Sequence, residues 1–196
     1  MTAILRVEAS IKGEASVSRK LTDRLIARLL DADPNASLVS RDLSAGIRPI
    51  DADWIGAVYT PAESRSPAQA EAAAYADALL AEVKAADVIV IGLPVYNFGV
   101  PAQMKNWFDQ LARRGETFVY TESGPKGLLA GKKAIIAMAS DGTPKGSPID
   151  FASGYVKHML GFFGITEIET VAADAIALAP DTALPNALDA VNALVF

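Results

Sequence analysis

The sequence predicts an α/β fold in which a five-stranded parallel sheet carries helices on both faces. Three observations lead there. Short apolar runs alternate with segments of helical period along the whole chain, which is the pattern of successive βα units. One run, Asp87–Leu93, is apolar without alternation, as a central parallel strand covered on both faces must be. The 196 residues suffice for one ordinary core and contain neither an internal repeat nor a linker.

The elements follow in order. Ala3–Ala9, rich in Ile, Leu and Val, reads as the first strand. The polar loop Ser10–Ser18 leads to a helix over Arg19–Leu30, with Leu21, Leu25, Ile26, Leu29 and Leu30 at helical spacing. Ser37–Leu43 is the second strand, and Ala45–Arg65 an irregular excursion with a short helix. Pro67–Ala86 is an Ala-rich helix. After the strand Asp87–Leu93, a helix follows Pro101 with Met104, Trp107, Phe108 and Leu111, and stops near Arg114-Gly115. Lys133–Met138 is another buried strand, Phe151–Phe163 a helix ended by Gly164, Glu167–Ala172 a shorter strand and Thr182–Leu194 a final helix.

Composition narrows the chemistry. With 51% hydrophobic and 21% charged residues the chain is not disordered. It has no Cys, hence no disulfide, no Cys-type zinc site and no thiol nucleophile. A net charge of -5 and a pI near 4.9 argue against a nucleic-acid partner, which wants a basic footprint. The single His, His158, lies mid-helix beside Lys157 and reads as a solvated side chain. That leaves little material for Ser-His hydrolysis, and no metal is expected. The N-terminus has no basic stretch followed by an apolar one. The longest uncharged run, Val88–Met104, is broken by Gly92, Pro94, Gly99 and Pro101, whereas a span needs ~20 mostly apolar residues. A cytoplasmic protein with no membrane partner is expected.

Open parallel sheets bind ligands beyond the carboxyl ends of their strands, and three strand ends look built for one. The first, Ser10 to Ser18, puts Ser10, Ser16 and Ser18 ahead of a helix. Such hydroxyls cap helices, and free helix N–H groups also favour a phosphate; on this loop alone the cap is the commoner role. Neither GxGxxG nor GxxxxGK[ST] is present. The second, Pro94-Val95-Tyr96-Asn97-Phe98-Gly99-Val100-Pro101, offers aromatic walls, a stiffened loop and an amide side chain. It suits the edge of a flat heteroaromatic ring slightly better than it suits an ordinary core-finishing loop. The third, Ser140-Asp141-Gly142-Thr143, is by itself better read as a surface turn. Together the three suggest a phosphate at one strand end and a flat ring between the other two, the geometry of a flavin mononucleotide.

Beyond these loops, Lys105-Asn106-Trp107-Phe108-Asp109, Thr117–Pro125 and Leu160-Gly161-Phe162-Phe163-Gly164 complete a pattern that runs almost end to end. It resembles the FMN-dependent NADH azoreductase and quinone reductase family. The resemblance implies a flavodoxin-like homodimer with one non-covalent FMN per subunit at the dimer interface. It also implies NADH or NADPH as donor and a quinone or azo compound as acceptor, taken in ping-pong order. Ser10 and Ser16, Val17 and Ser18 match phosphate-binding positions; Pro94, Val95, Tyr96, Asn97 and Phe98 match the ring-binding loop. Ser140, Asp141, Gly142 and Thr143 match a further flavin contact, and Tyr120 and Phe162 match aromatics near the substrate face. Two positions depart from the pattern. Val95 stands where Met is common, and Ser140-Asp141-Gly142-Thr143 lacks the Arg and second Gly often found there.

No side chain is an obvious general acid, so the chemistry is expected to belong to the cofactor. Lys105 reads as a surface lysine, Trp107 and Phe108 as helix packing, and Lys12 and Glu14 as solvated loop charges. A flavin-binding electron carrier is the main alternative, and the extra segments Ala45–Arg65 and Gly115–Gly131 argue against it. Phosphodiester hydrolysis is the weaker one, since no cluster of carboxylates and histidines exists to hold a metal.

Overall fold

A computed structural model describes residues 1–196. Five parallel strands, β1 (Ala3–Glu8), β2 (Ser37–Asp42), β3 (Val88–Pro94), β6 (Lys133–Ala139) and β7 (Glu167–Ala173), form one sheet in the order β2-β1-β3-β6-β7. The chain leaves β1 toward β2 and then crosses back to β3, so the switch point lies between β1 and β3. Helices α1 (Val17–Ala32) and α6 (Ala183–Ala193) cover one face; α3 (Pro67–Ala85), α4 (Ala102–Leu111) and α5 (Phe151–Phe162) cover the other. The short α2 (Ala52–Val58) packs on α3.

Strand β3 explains the two-sided sheet. Ile89, Ile91 and Leu93 point into the core under α3, α4 and α5, while Val90 points into the core under α1 and α6. Successive side chains of a strand face opposite ways, so a strand buried on both faces must be apolar throughout. Strand β6 repeats this, with Ile136 and Met138 on one side and Ile135 and Ala137 on the other. Trp107 and Phe108, both buried, fill the space beneath α4.

Most of the expected elements are present, and four details differ. Helix α1 begins two residues early, at Val17, because Ser16 accepts a hydrogen bond from the Arg19 N–H at 3.2 Å and so forms the cap. Helix α4 closes at Leu111, short of Arg114-Gly115. The Gly115–Gly131 segment contains an antiparallel hairpin, β4 (Phe118–Thr121) and β5 (Gly124–Gly127), that periodicity does not reveal. Helix α6 spans Ala183–Ala193, one residue shorter at each end than expected. His158 and Lys105 are exposed, and Lys105 pairs with Asp109 at 2.6 Å.

Candidate functional site

The parallel register sets Glu8 opposite Gly92 and Pro94 opposite Ala139. The loops that follow β1, β3 and β6 therefore leave the sheet side by side, at the same end. They close around one cleft of about 140 Å³. From the first loop come Ser10, Lys12, Ser16, Val17 and Ser18; from the second Pro94, Val95 and Tyr96; from the third Ser140 and Asp141. Ala139 and Ile176 complete the wall.

The first loop is a concentrated donor set. Ser10, Ser16 and Ser18 are all at most 1% exposed, and the Ser16 and Ser18 hydroxyls lie 3.1 Å apart. Ser16 caps α1, but a helix start leaves its first N–H groups without intrahelical acceptors. Capping and anion binding thus coexist here: Ser16 Oγ takes the Arg19 N–H, and the N–H groups of Val17 and Ser18 remain at the positive end of the helix. This donor set of hydroxyls and N–H groups, with no carboxylate inside the loop's buried part, fits a phosphate.

The second loop is held in an unusual conformation. Asn97 (φ 47°) and Phe98 (φ 70°) both adopt left-handed backbone, which costs non-glycine residues energy. Tyr96 N–H donates to Gly99 O at 3.0 Å and Gly99 N–H returns to Tyr96 O at 3.1 Å. That is a tight turn whose two central N–H groups, at Asn97 and Phe98, donate to no protein acceptor. The loop is anchored on both sides: Val95 N–H donates to Ala139 O at 2.9 Å, and the Tyr96 hydroxyl accepts the Ile11 N–H at 3.1 Å. Asn97 and Phe98 themselves are exposed beside the cleft and do not line it.

In the third loop Ser140 is occupied with its own turn. Its hydroxyl donates to Thr143 O at 2.5 Å and accepts the Thr143 N–H at 3.1 Å. Thr143 is buried and Gly142 exposed, and neither reaches the cleft wall. Asp141 does reach it, and its carboxylate lies 3.7 Å from the Lys12 ammonium. Lys12, expected to be a solvated loop charge, remains more than half exposed and also lines the cleft, which a lone loop lysine does not announce in sequence. Ile176 carried none, since it enters from the segment after β7.

Tyr120 and Phe162 are not brought to this cleft. Helix α5 starts at the carboxyl end of the sheet, where Phe151 N–H donates to Phe98 O at 3.1 Å, and runs back to the other end. Phe162 closes it, just before β7 begins beside Lys133. There Phe162 packs on Phe118 at 4.5 Å between ring centroids, and Phe118 on Tyr120 at 5.4 Å. A strand length, about 20 Å for seven residues, separates this aromatic group from the cleft of the same chain. Tyr120 is 65% exposed. No three His, Cys, Asp or Glu side chains are grouped to hold a metal ion, and no helix is long and apolar enough to cross a membrane.

A family model described as a flavodoxin-like fold matches residues 2–195. An FMN-dependent NADH:quinone oxidoreductase of Cereibacter sphaeroides is 59% identical over 194 residues, 99% of each chain. The chain belongs to the flavodoxin-like family of FMN-dependent NADH:quinone oxidoreductases. A more distant member, from Hahella chejuensis, is 46% identical over 95% of this chain and 92% of its own. Among solved structures, an azoreductase from Bacillus anthracis superposes with a TM-score of 0.87 at 32% identity, covering 99% of this chain and 100% of its own. An FMN-dependent NADH-azoreductase from the same species, in complex with FMN, gives 0.88 at 26% identity, covering 97% and 96%.

Proposed function

We propose that this protein is an FMN-dependent NADH:quinone oxidoreductase that also cleaves azo compounds reductively. The observation that carries this reading is the single cleft shared by three strand-end loops. One wall is a buried hydroxyl and N–H cradle, and the next is Pro94, Val95 and Tyr96, which lead into the left-handed Asn97-Phe98 turn beside the cleft. The family members, named for FMN, NADH and quinone or as azoreductases, supply the substrate class. When bound, the flavin supplies two-electron acceptance and donation between flat partners.

What remains for the chain is binding, orientation and exclusion of water. Ser10, Ser16, Val17 and Ser18 would hold the phosphate, with α1 contributing its positive end. Pro94, Val95 and Tyr96 would border the ring, with the free N–H groups at Asn97 and Phe98 available to its polar edge and the Phe98 side chain as a half-exposed wall. Ser140, Asp141, Gly142 and Thr143 would bound its other side. Donor and acceptor would use the same open face in turn, a ping-pong order, with NADH and NADPH both candidates as donor. Flat partners gain most from being held in stacking range. The reaction is proposed to run in the cytoplasm, where reduced nicotinamide is available.

A homodimer is part of the proposal. Tyr120 faces solvent, packed on buried Phe118 and half-buried Phe162, and this group is remote from its own chain's cleft. Tyr120 and Phe162 would meet substrate only if a second copy presented them. The test is a visible spectrum of the purified protein, repeated anaerobically with NADH and then menadione. Flavin bands that bleach with NADH and return with the quinone are the expected result. Bands that never bleach would indicate an electron carrier, and failure to take up added FMN would remove the cofactor reading.

A further inference from the structure

We propose that Lys12 is the cation that selects the cofactor's phosphate, and that Asp141 serves as its built-in counter-ion until a dianionic ligand displaces it. The inference rests on the cofactor reading above and deepens it. A phosphate monoester carries about -1.5 to -2 charge near neutral pH. Of the side chains lining the cleft, only Lys12 is positive and only Asp141 negative. The walls therefore sum to zero charge, and the helix start and hydroxyls alone would face a dianion.

The neighbouring guanidinium groups are not free to help. Arg19 is held by Asp42 at 2.7 Å, Ser44 at 3.1 Å and the Ser10 carbonyl at 3.2 Å. Arg6 is held by Glu8 at 2.7 Å and Asp23 at 2.6 Å. Both belong to a separate hollow beside β2. Lys12, by contrast, has one ionic contact, to Asp141 at 3.7 Å, with the two side chains 56% and 71% exposed. At that separation the pair is beyond a good hydrogen bond, and exposed pairs contribute little. Drawing the ammonium off Asp141 onto a phosphate costs little and replaces a loose contact with a charge-assisted one. Asp141 keeps the ammonium at the cleft mouth beforehand and opposes the incoming anion, so its charge lowers affinity.

The experiment titrates flavin-stripped, full-length protein with FMN and with riboflavin, which lacks the phosphate, following flavin fluorescence at low and at moderate salt. We expect Lys12→Ala to weaken FMN about tenfold at low salt and leave riboflavin unchanged, with Lys12→Arg restoring most of the loss. Asp141→Asn should raise the preference for FMN over riboflavin a few-fold, whatever it does to ring binding common to both flavins, and salt should shrink both effects. If wild-type protein binds FMN but Lys12→Ala keeps the wild-type preference for FMN over riboflavin, the role of Lys12 is overturned and the cofactor reading stands. If wild-type protein binds neither flavin, both fall together.

Discussion

Phe98 concentrates the conflict between folding and binding in one residue. A tight turn with two left-handed central residues favours Asn-Gly, and here Asn97 is followed by a bulky aromatic at φ 70°. The left-handed conformation costs an L side chain roughly 1–2 kcal/mol. We expect Phe98→Gly to stabilise the flavin-free chain by about 1 kcal/mol and to weaken FMN retention, because the aromatic wall is lost. Thermal melting and flavin titration check this; a lower melting temperature with unchanged flavin affinity would sink it. Residue types at strand ends were legible: nine of the residues read as a cofactor site, Ser10 through Asp141, do line one cleft. Lys12 was not, since a lone loop lysine gives no sign of which way it points. Ser16 looked like a choice between two roles, and the geometry lets the hydroxyl do one while the N–H groups behind it do the other.

Elements with a strong period were readable, and elements held by neighbours were not. The β3 and β6 strands announce themselves because burial on two faces demands unbroken apolar sequence. The β4–β5 hairpin has two four-residue strands containing Pro125, Gly124 and Gly127 and shows no alternation. Its position depends on α5: a Cβ on Gly127 would lie 2.1 Å from Gly164 N, so the two backbones are in direct contact. Helix α3 shows a different kind of anchoring. Asp77 accepts from Arg65 at 2.7 Å and also from Arg113, whose side chain is 7% exposed. Burial alone would raise the Asp77 pKa, but the hydrogen bonds and charges of Arg113 and Arg65 outweigh it and hold the carboxyl below its ordinary value. That stabilisation is fully present above an ordinary carboxylate pKa of about 3.9 and is lost as the pH falls through the lower folded value. Asp77→Asn should cost roughly 1–2 kcal/mol at neutral pH, held down by solvent screening at a 41%-exposed carboxylate. It should also flatten the loss of stability in acid; a parallel acid limb in chemical denaturation would refute the account.

At the scale of the molecule, fold class was legible from element order alone, whereas the homodimer proposed above is suggested only by family resemblance. Nothing in a single chain's periodicity says that Tyr120 and Phe162 sit at the far end of the sheet from the cleft; that follows from the direction of α5. Light scattering should give twice the chain mass of 20.6 kDa. Tyr120→Ala with Phe162→Ala should slow quinone reduction while FMN remains bound, because the phosphate and ring loops are untouched. A monomer with full activity would show that each cleft works alone.

The strand order has a consequence for how the chain is made. After β1 and β2, each later sheet strand joins the same growing edge, β3 then β6 then β7. A chain emerging N-terminus first can therefore add them as they appear, at about 5–20 residues per second. The serine loop, however, is finished by residue 18, while its opposite wall at Ser140 comes only after β6. On the cofactor reading, the nascent protein thus carries a half-built cradle through most of its synthesis, and the complete cleft exists only once β6 has paired with β3.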